Sequence, residues 1–156
     1  MGNDAVQNVW KVRLKVDELS PKINRRMNHL DEAAEEISLS LPLQELVRVR
    51  ASQINHCVYC VDGHVEEARK VGVTEQQLGA LAVWQEAPFF SARERAALQL
   101  TEWMTRLPDG PVSDEQWASV AVEFSEVELS ELVWTITMIN VWNRIAGVAR
   151  PWDIGE

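Results

Sequence analysis

Four times along the chain a Ser or Thr is followed three residues later by Glu or Gln: Thr74/Gln77, Ser91/Glu94, Ser113/Gln116 and Ser125/Glu128. At that spacing the hydroxyl accepts from the backbone N–H of the third helical residue, and the longer side chain reaches back to the N–H of the capping residue. Each pair therefore marks a helix start. The first opens TEQQLGALAVW, closed at Pro88; the second opens SARERAALQLTEWMTRL, closed by PDGP at 108–111. The third opens SDEQWASVAVEF, and the fourth opens SEVELSELVWTITMINVWNRIAGVAR, long and apolar enough for a central helix.

Upstream the punctuation is similar. Ser20-Pro21 opens LSPKINRRMNHLDEAAEEISLSL, where Ile23, Met27, Leu30, Ala34 and Ile37 recur at three-to-four spacing. Pro42 suits the first turn of LPLQELVRVRASQIN, whose Leu43, Leu46, Val47, Ala51 and Ile54 share one stripe. The segment Cys57–Val71 runs to Gly72, a natural stop. No stretch alternates cleanly between hairpin turns; VWKVRLKV at 9–16 does alternate and reads as an extended arm. The expectation is an all-α fold of about seven helices: one domain over 20–156, preceded by an N-terminal arm over 1–19.

A chain of 156 residues is naturally one domain and can bury a core without disulfide or metal staples. Its 15 Lys+Arg against 24 Asp+Glu give a net charge of −9. That balance argues against a nucleic-acid partner and against anionic membrane surfaces. The stretch MGNDAVQNVWKVRLKV has no apolar core of a signal peptide, and Val6 breaks the myristoylation pattern. No apolar run approaches the roughly 20 residues that span a bilayer. The expected location is the cytoplasm, where a close cysteine pair is more often catalytic or metal-binding than structural.

That pair lies in INHCVYCVDGH, residues 54–64, and Cys57 and Cys60 are the only cysteines. On a helix, Cys57, Cys60 and His64 share one face. A helix N-terminus stabilises a thiolate, and the thiolate is the nucleophile. The arrangement suits reversible dithiol/disulfide chemistry with His64 as base or relay. A thioredoxin-like reading wants a βαβ context that is missing, and a c-type haem wants His where Val61 stands. Zinc could draw on Cys57, Cys60 and His64 with His56 or Glu45 as a fourth ligand. There is no second ligand cluster, however, and His29 is the remaining histidine. Two buried, inert thiols are the plainest alternative. No metal and no cofactor are expected.

The pattern resembles the alkylhydroperoxidase D-like family of the carboxymuconolactone decarboxylase superfamily, whose redox members carry Glu, eleven residues, then CxxCxxxH. Here eleven residues separate Glu45 from Cys57, and Cys57, Cys60 and His64 complete the motif. The surrounding ELVRVRASQINHCVYCVDGHVEEARKVGV and the later INVWNRIA at 139–146 are also similar, so the resemblance spans about residues 20–150. It implies an all-α homo-oligomer, a trimer or hexamer. It implies an organic hydroperoxide as substrate and an external protein or lipoyl-type dithiol as reductant. By resemblance Cys60 attacks the peroxide, Cys57 resolves, and Glu45 and His64 relay the proton. One position departs: the best-studied members have a second histidine just before the second cysteine, and this chain has Tyr59. A phenol, with a reference pKa near 10, is a poorer proton shuttle near neutrality, which leaves Tyr59 an auxiliary role.

The remaining residues carry weaker signals. Alone, Glu45 is an ordinary solvated helix glutamate; Arg48 and Arg50 read as surface or interface ion pairs. Trp84, Trp103, Trp134 and Trp142 read as core or subunit packing rather than pocket walls. Asn140 and Asn143 read as hydrogen bonds between helices, and Asp62 and Glu66 as solvated. The leading reading is a thiol-dependent peroxidase or disulfide reductase. Behind it stand a redox adaptor, a metal-binding or redox-sensing protein without turnover, and last a lactone-acid decarboxylase, a chemistry that does without a CxxC pair.

Overall fold

The computed structural model describes residues 10–34 and 36–154. Residues 1–9 of the expected arm lie outside the described residues. The described helices are α1 (Val16–Leu19), α2 (Pro21–Ala33), α3 (Leu41–Ile54), α4 (Val58–Lys70), α5 (Glu75–Ala80), α6 (Ala92–Thr105), α7 (Asp114–Ala121) and α8 (Glu126–Arg144). Short 3₁₀ turns follow α5 and α6, and a π turn over Ile145–Ala149 follows α8. No strand occurs among the described residues. The fold is all-α, with eight helices against the expected seven; the extra one is the four-residue α1.

All four capping boxes form with both reciprocal hydrogen bonds. Each cap stabilises its helix by about 1 kcal/mol. Two apolar runs do not extend as helices as far as their periodicity suggests. The run after Thr74 leaves α-helical geometry at Ala80 and kinks at Val83 (φ −128°, ψ 31°). Helix α2 stops at Ala33, leaving Ile37 to pack separately against the core. None of the residues of α2 is buried, and its last turn holds no basic residue to offset the dipole. A helix that buries none of its residues has little reason to lengthen.

The helix at the centre is α3 rather than the longer α8. It packs against α4, α6 and α8, and nine of its 14 residues are buried. One core cluster joins its Leu43 and Val47 to Ala97, Leu100, Val120, Leu132 and Ile136. Another joins its Leu46 and Val49 to Ala68, Leu81, Trp84, Phe90 and Leu98. An apolar helix can be central only if it is covered on more than one side, and α8 leaves Val127 and Trp134 exposed.

Arg50, expected in a surface or interface ion pair, pairs instead inside the chain. Arg50 is buried, and its Nε and Nη2 donate to Glu102 Oε1 on α6 at 2.9 and 2.6 Å. Trp84 Nε1 donates to the same oxygen at 2.8 Å. A buried pair persists only when its remaining polar atoms are satisfied, and Trp84 supplies part of that.

The two ends of the described chain meet. Arg13 N–H donates to Arg150 O, and Leu14 N–H to Ala149 O, at 3.2 and 3.0 Å. Trp10 Nε1 donates to Trp152 O, and Trp152 Nε1 to Asp17 Oδ2. The described part of the arm is thus laid along the segment that follows α8. No described helix is long and apolar enough to cross a membrane.

Candidate active site

The site begins where α3 gives way to α4. Asn55 ends α3, His56 adopts a left-handed conformation (φ 54°), and Cys57 N–H donates to Ser52 O at 3.0 Å. The reversal lays α4 back against α3. It leaves His56 exposed. Cys57 does not sit in the helix: it is the N-cap of α4, and its Sγ accepts the N–H of Cys60 at 3.4 Å. Cys60 occupies the first turn and is joined to Cys57 by a disulfide, with the Cα atoms 5.4 Å apart. Such a separation is ordinary for a disulfide.

The two sulfurs are not equivalent. Cys57 is fully buried, whereas Cys60 lines a cavity of about 400 Å³. His64, one turn along, lines the same cavity. On α3, Glu45 is buried and its Oε2 lies 2.9 Å from His64 Nδ1, while its Oε1 accepts from Arg48 Nη1 at 2.6 Å. Structure thus brings Glu45, His64, Cys60 and Cys57 to one place, and overturns the plain reading of Glu45 as solvated. Burial pushes the Glu45 carboxyl up, but the His64 hydrogen bond and charge, with Arg48 beside it, outweigh that and hold it below the ordinary 4.5. An ionised carboxylate only accepts, so Nδ1 carries the proton and, in the neutral ring, Nε2 is left to accept one.

A web of amides holds the α3–α4 junction. Asn55 Nδ2 donates to Asn140 Oδ1 and to Asn143 Oδ1, each at 2.9 Å. Asn143 Nδ2 donates to Ser52 Oγ at 2.9 Å, and Asn140 Nδ2 to Thr105 Oγ1 at 3.0 Å. Asn140 and Asn143 therefore bond between helices, as expected, and neither lines the cavity. Sequence reasoning missed Ser52 and Asn55; their signal was two small polar residues in an apolar stripe just before the cysteines.

Aromatic residues close one side. Tyr59 lies between Trp10 and Trp152, with ring centroids 6.4 and 5.2 Å away, and Trp152 reaches Trp142 at 6.2 Å. The four tryptophans taken together as packing residues divide. Trp84 is buried and Trp103 packs on the core, but Trp142 lines the cavity and Trp134 is 55% exposed. Trp10 and Trp152 were not anticipated near the cysteines. Asp62 is exposed, and Glu66 is an exposed rim residue paired with Lys70. Among the described residues no group of three or more His, Cys, Asp or Glu is arranged to hold a metal ion.

The profile of the carboxymuconolactone decarboxylase family matches residues 21–103. An uncharacterised protein of Bacillus subtilis (strain 168), YdfG, is 37% identical over 134 residues, covering 86% of this chain and 91% of its own length. A crystal structure of a protein of unknown function from Agrobacterium tumefaciens, whose given name sets it beside the antioxidant defence protein AhpD, superposes with a TM-score of 0.88. It is 32% identical and covers 94% of this chain and all of its own. The apo debrominase Bmp8 shares the fold alone, with a TM-score of 0.74 at 18% identity over 85% of this chain and 72% of its own.

Proposed function

The chain belongs to the carboxymuconolactone decarboxylase family, with the alkylhydroperoxidase D-like fold, and from that premise we propose that it is a dithiol peroxidase acting on organic hydroperoxides. The observation that carries the reading is the asymmetry of the pair: of two bonded sulfurs only Cys60 opens on a cavity, beside a histidine tied to a buried carboxylate.

In the reduced form His64 Nε2 takes the Cys60 proton, and the thiolate attacks the distal peroxide oxygen. The O–O bond breaks, the proton returns to the leaving alkoxide, and Cys60 becomes a sulfenic acid. The Cys57 thiol then displaces water and closes the disulfide. An external dithiol, of a protein or lipoyl type, restores the pair by attacking Cys60, the cysteine that lines the cavity. Cys57 leaves as a thiolate accepting the N–H at the start of α4, and a better stabilised thiolate leaves faster. Tyr59 contributes packing around the pair, between Trp10 and Trp152. Oligomerisation belongs to the same proposal: exposed Trp134, Val127 and Leu30 offer apolar surface for a second copy, and sedimentation measures it.

The test is a free-thiol count on reduced protein before and after one equivalent of cumene hydroperoxide. Loss of both thiols in the native chain is expected. Cys57→Ser should stop at a sulfenic acid that dimedone traps, and Cys60→Ser should lose nothing. Persistence of both thiols for minutes would overturn peroxide chemistry and leave dithiol exchange with a protein partner.

A further inference from the structure

The cavity beside Cys60 has two unlike halves. One wall is aromatic: Tyr59, Trp142 and Trp152. The rim carries three carboxylates, Asp31 from α2 and Glu66 and Glu67 from α4. No Lys or Arg is among the lining residues. Lys70 lies outside, 2.8 Å from both Glu66 Oε1 and Glu67 Oε1, and Arg69, whose charge also reaches Glu66, is paired with Glu75, so the rim keeps an excess of negative charge. The Lys70 hydrogen bond keeps the Glu66 carboxyl below its usual range, hence ionised at neutrality. Nearby Glu45 is matched by Arg48 and changes nothing in this balance.

The aromatic wall acts in the same sense. Ring faces attract cations. The two indole donors of the wall are not presented to an anion: Trp152 Nε1 is given to Asp17 Oδ2, and Trp142 Nε1 is buried out of reach of solvent. Wall and rim therefore discriminate by charge in the same direction, through independent groups.

We propose that this site selects against anionic ligands. It takes aryl or branched-alkyl hydroperoxides that are neutral or cationic and turns away those bearing a carboxylate, such as fatty-acid hydroperoxides. The word hydroperoxide rests on the function proposed above; the charge selection rests on the cavity alone. Asp31, Glu66 and Glu67 are its specificity-determining residues.

Three matched, unreactive probes test it on the disulfide form, read by tryptophan fluorescence: 2-phenyl-2-propanol, its para-carboxylate, and its para-(trimethylammonio)methyl derivative. At low salt the neutral and cationic probes are expected to bind about tenfold or more tightly than the carboxylate, and the gap should narrow as salt is added. In Asp31→Asn/Glu67→Gln, two surface changes that leave the core intact, the ratio of neutral to carboxylate affinity should fall to about threefold or less. Equal affinities in the native chain, including no measurable binding of any probe, overturn the proposal, as does a ratio unchanged in the variant. The corresponding hydroperoxides on reduced protein separate the two readings. Discrimination among probes with no thiol loss sinks the peroxidase and keeps the charge selection. Thiol loss at equal rates from neutral and carboxylate hydroperoxides does the reverse.

Discussion

Two buried glutamates, Glu45 and Glu102, show how one helical scaffold makes a carboxylate structural in one place and reactive in another. Both are paired with an arginine of α3, and burial pushes both carboxyls up while their partners pull them below the ordinary 4.5. The difference lies in the other partners. Glu102 Oε1 is surrounded by Arg50, Trp84 and Gln85, each of which donates a hydrogen bond to it. Glu45 shares its second oxygen with a histidine, at the edge of a cavity that also holds a sulfur. A carboxylate among permanent donors fixes structure; beside a titratable one that faces a cavity, it can direct a proton.

The comparison breaks most easily at its scaffold end. Glu102→Ala strands a buried guanidinium, and a loss of about 3–5 kcal/mol is expected, read as a lowered urea midpoint, with the thiol reaction of the remaining folded protein near normal. Glu45→Gln should invert that pattern. The fold survives, while peroxide-driven thiol loss slows about a hundredfold or more, the usual worth of a positioned acid–base group. Equal effects of the two substitutions on stability and rate would erase the distinction.

A milder probe is Asn143→Ala, which leaves Ser52 Oγ and Asn55 Nδ2 each short of a partner. We expect about 1–3 kcal/mol of destabilisation, with hydrogen exchange rising first at the α3–α4 junction. The smallest effect concerns pH. Because both glutamates have lowered folded values, the stability they supply is complete above 4.5 and drains away as pH falls through those values. Urea melts should show native protein weakening on the acid side of that point, with less slope in Glu102→Gln. A slope identical to the native one would remove Glu102 from the acid response.

These pairs also mark how far the sequence could be read. Helix starts were legible because a capping box is a conversation between residues three apart, and all four formed where Ser or Thr met Glu or Gln. Glu45 and His64 were legible because their spacing to the cysteines follows a known motif. Arg50 and Glu102 were not: 52 residues separate them, and nothing in ELVRVRAS distinguishes a buried arginine from a surface one. Trp10 and Trp152 escaped for the same reason, since only the fold brings the ends of the described chain onto Tyr59. Helix α2 looked longer than it is because periodicity measures an amphipathic pattern, whereas length depends on something to pack against. The tryptophans divided because an apolar stripe on a helix does not say which neighbour, if any, will cover it.

The capping role of Cys57 has an electrochemical consequence. The buried sulfur of the disulfide also accepts the Cys60 N–H in the first turn of α4. While oxidised it is a neutral, weak acceptor; once reduced it can be a thiolate at the positive end of a helix, worth about 1 kcal/mol, or about 20 mV on a two-electron couple. Equilibration with a glutathione couple across a pH series would detect it as a potential that shifts where Cys57 ionises. Helix formation and electron storage then share one atom, and whatever frays the first turn of α4 makes the protein a weaker oxidant.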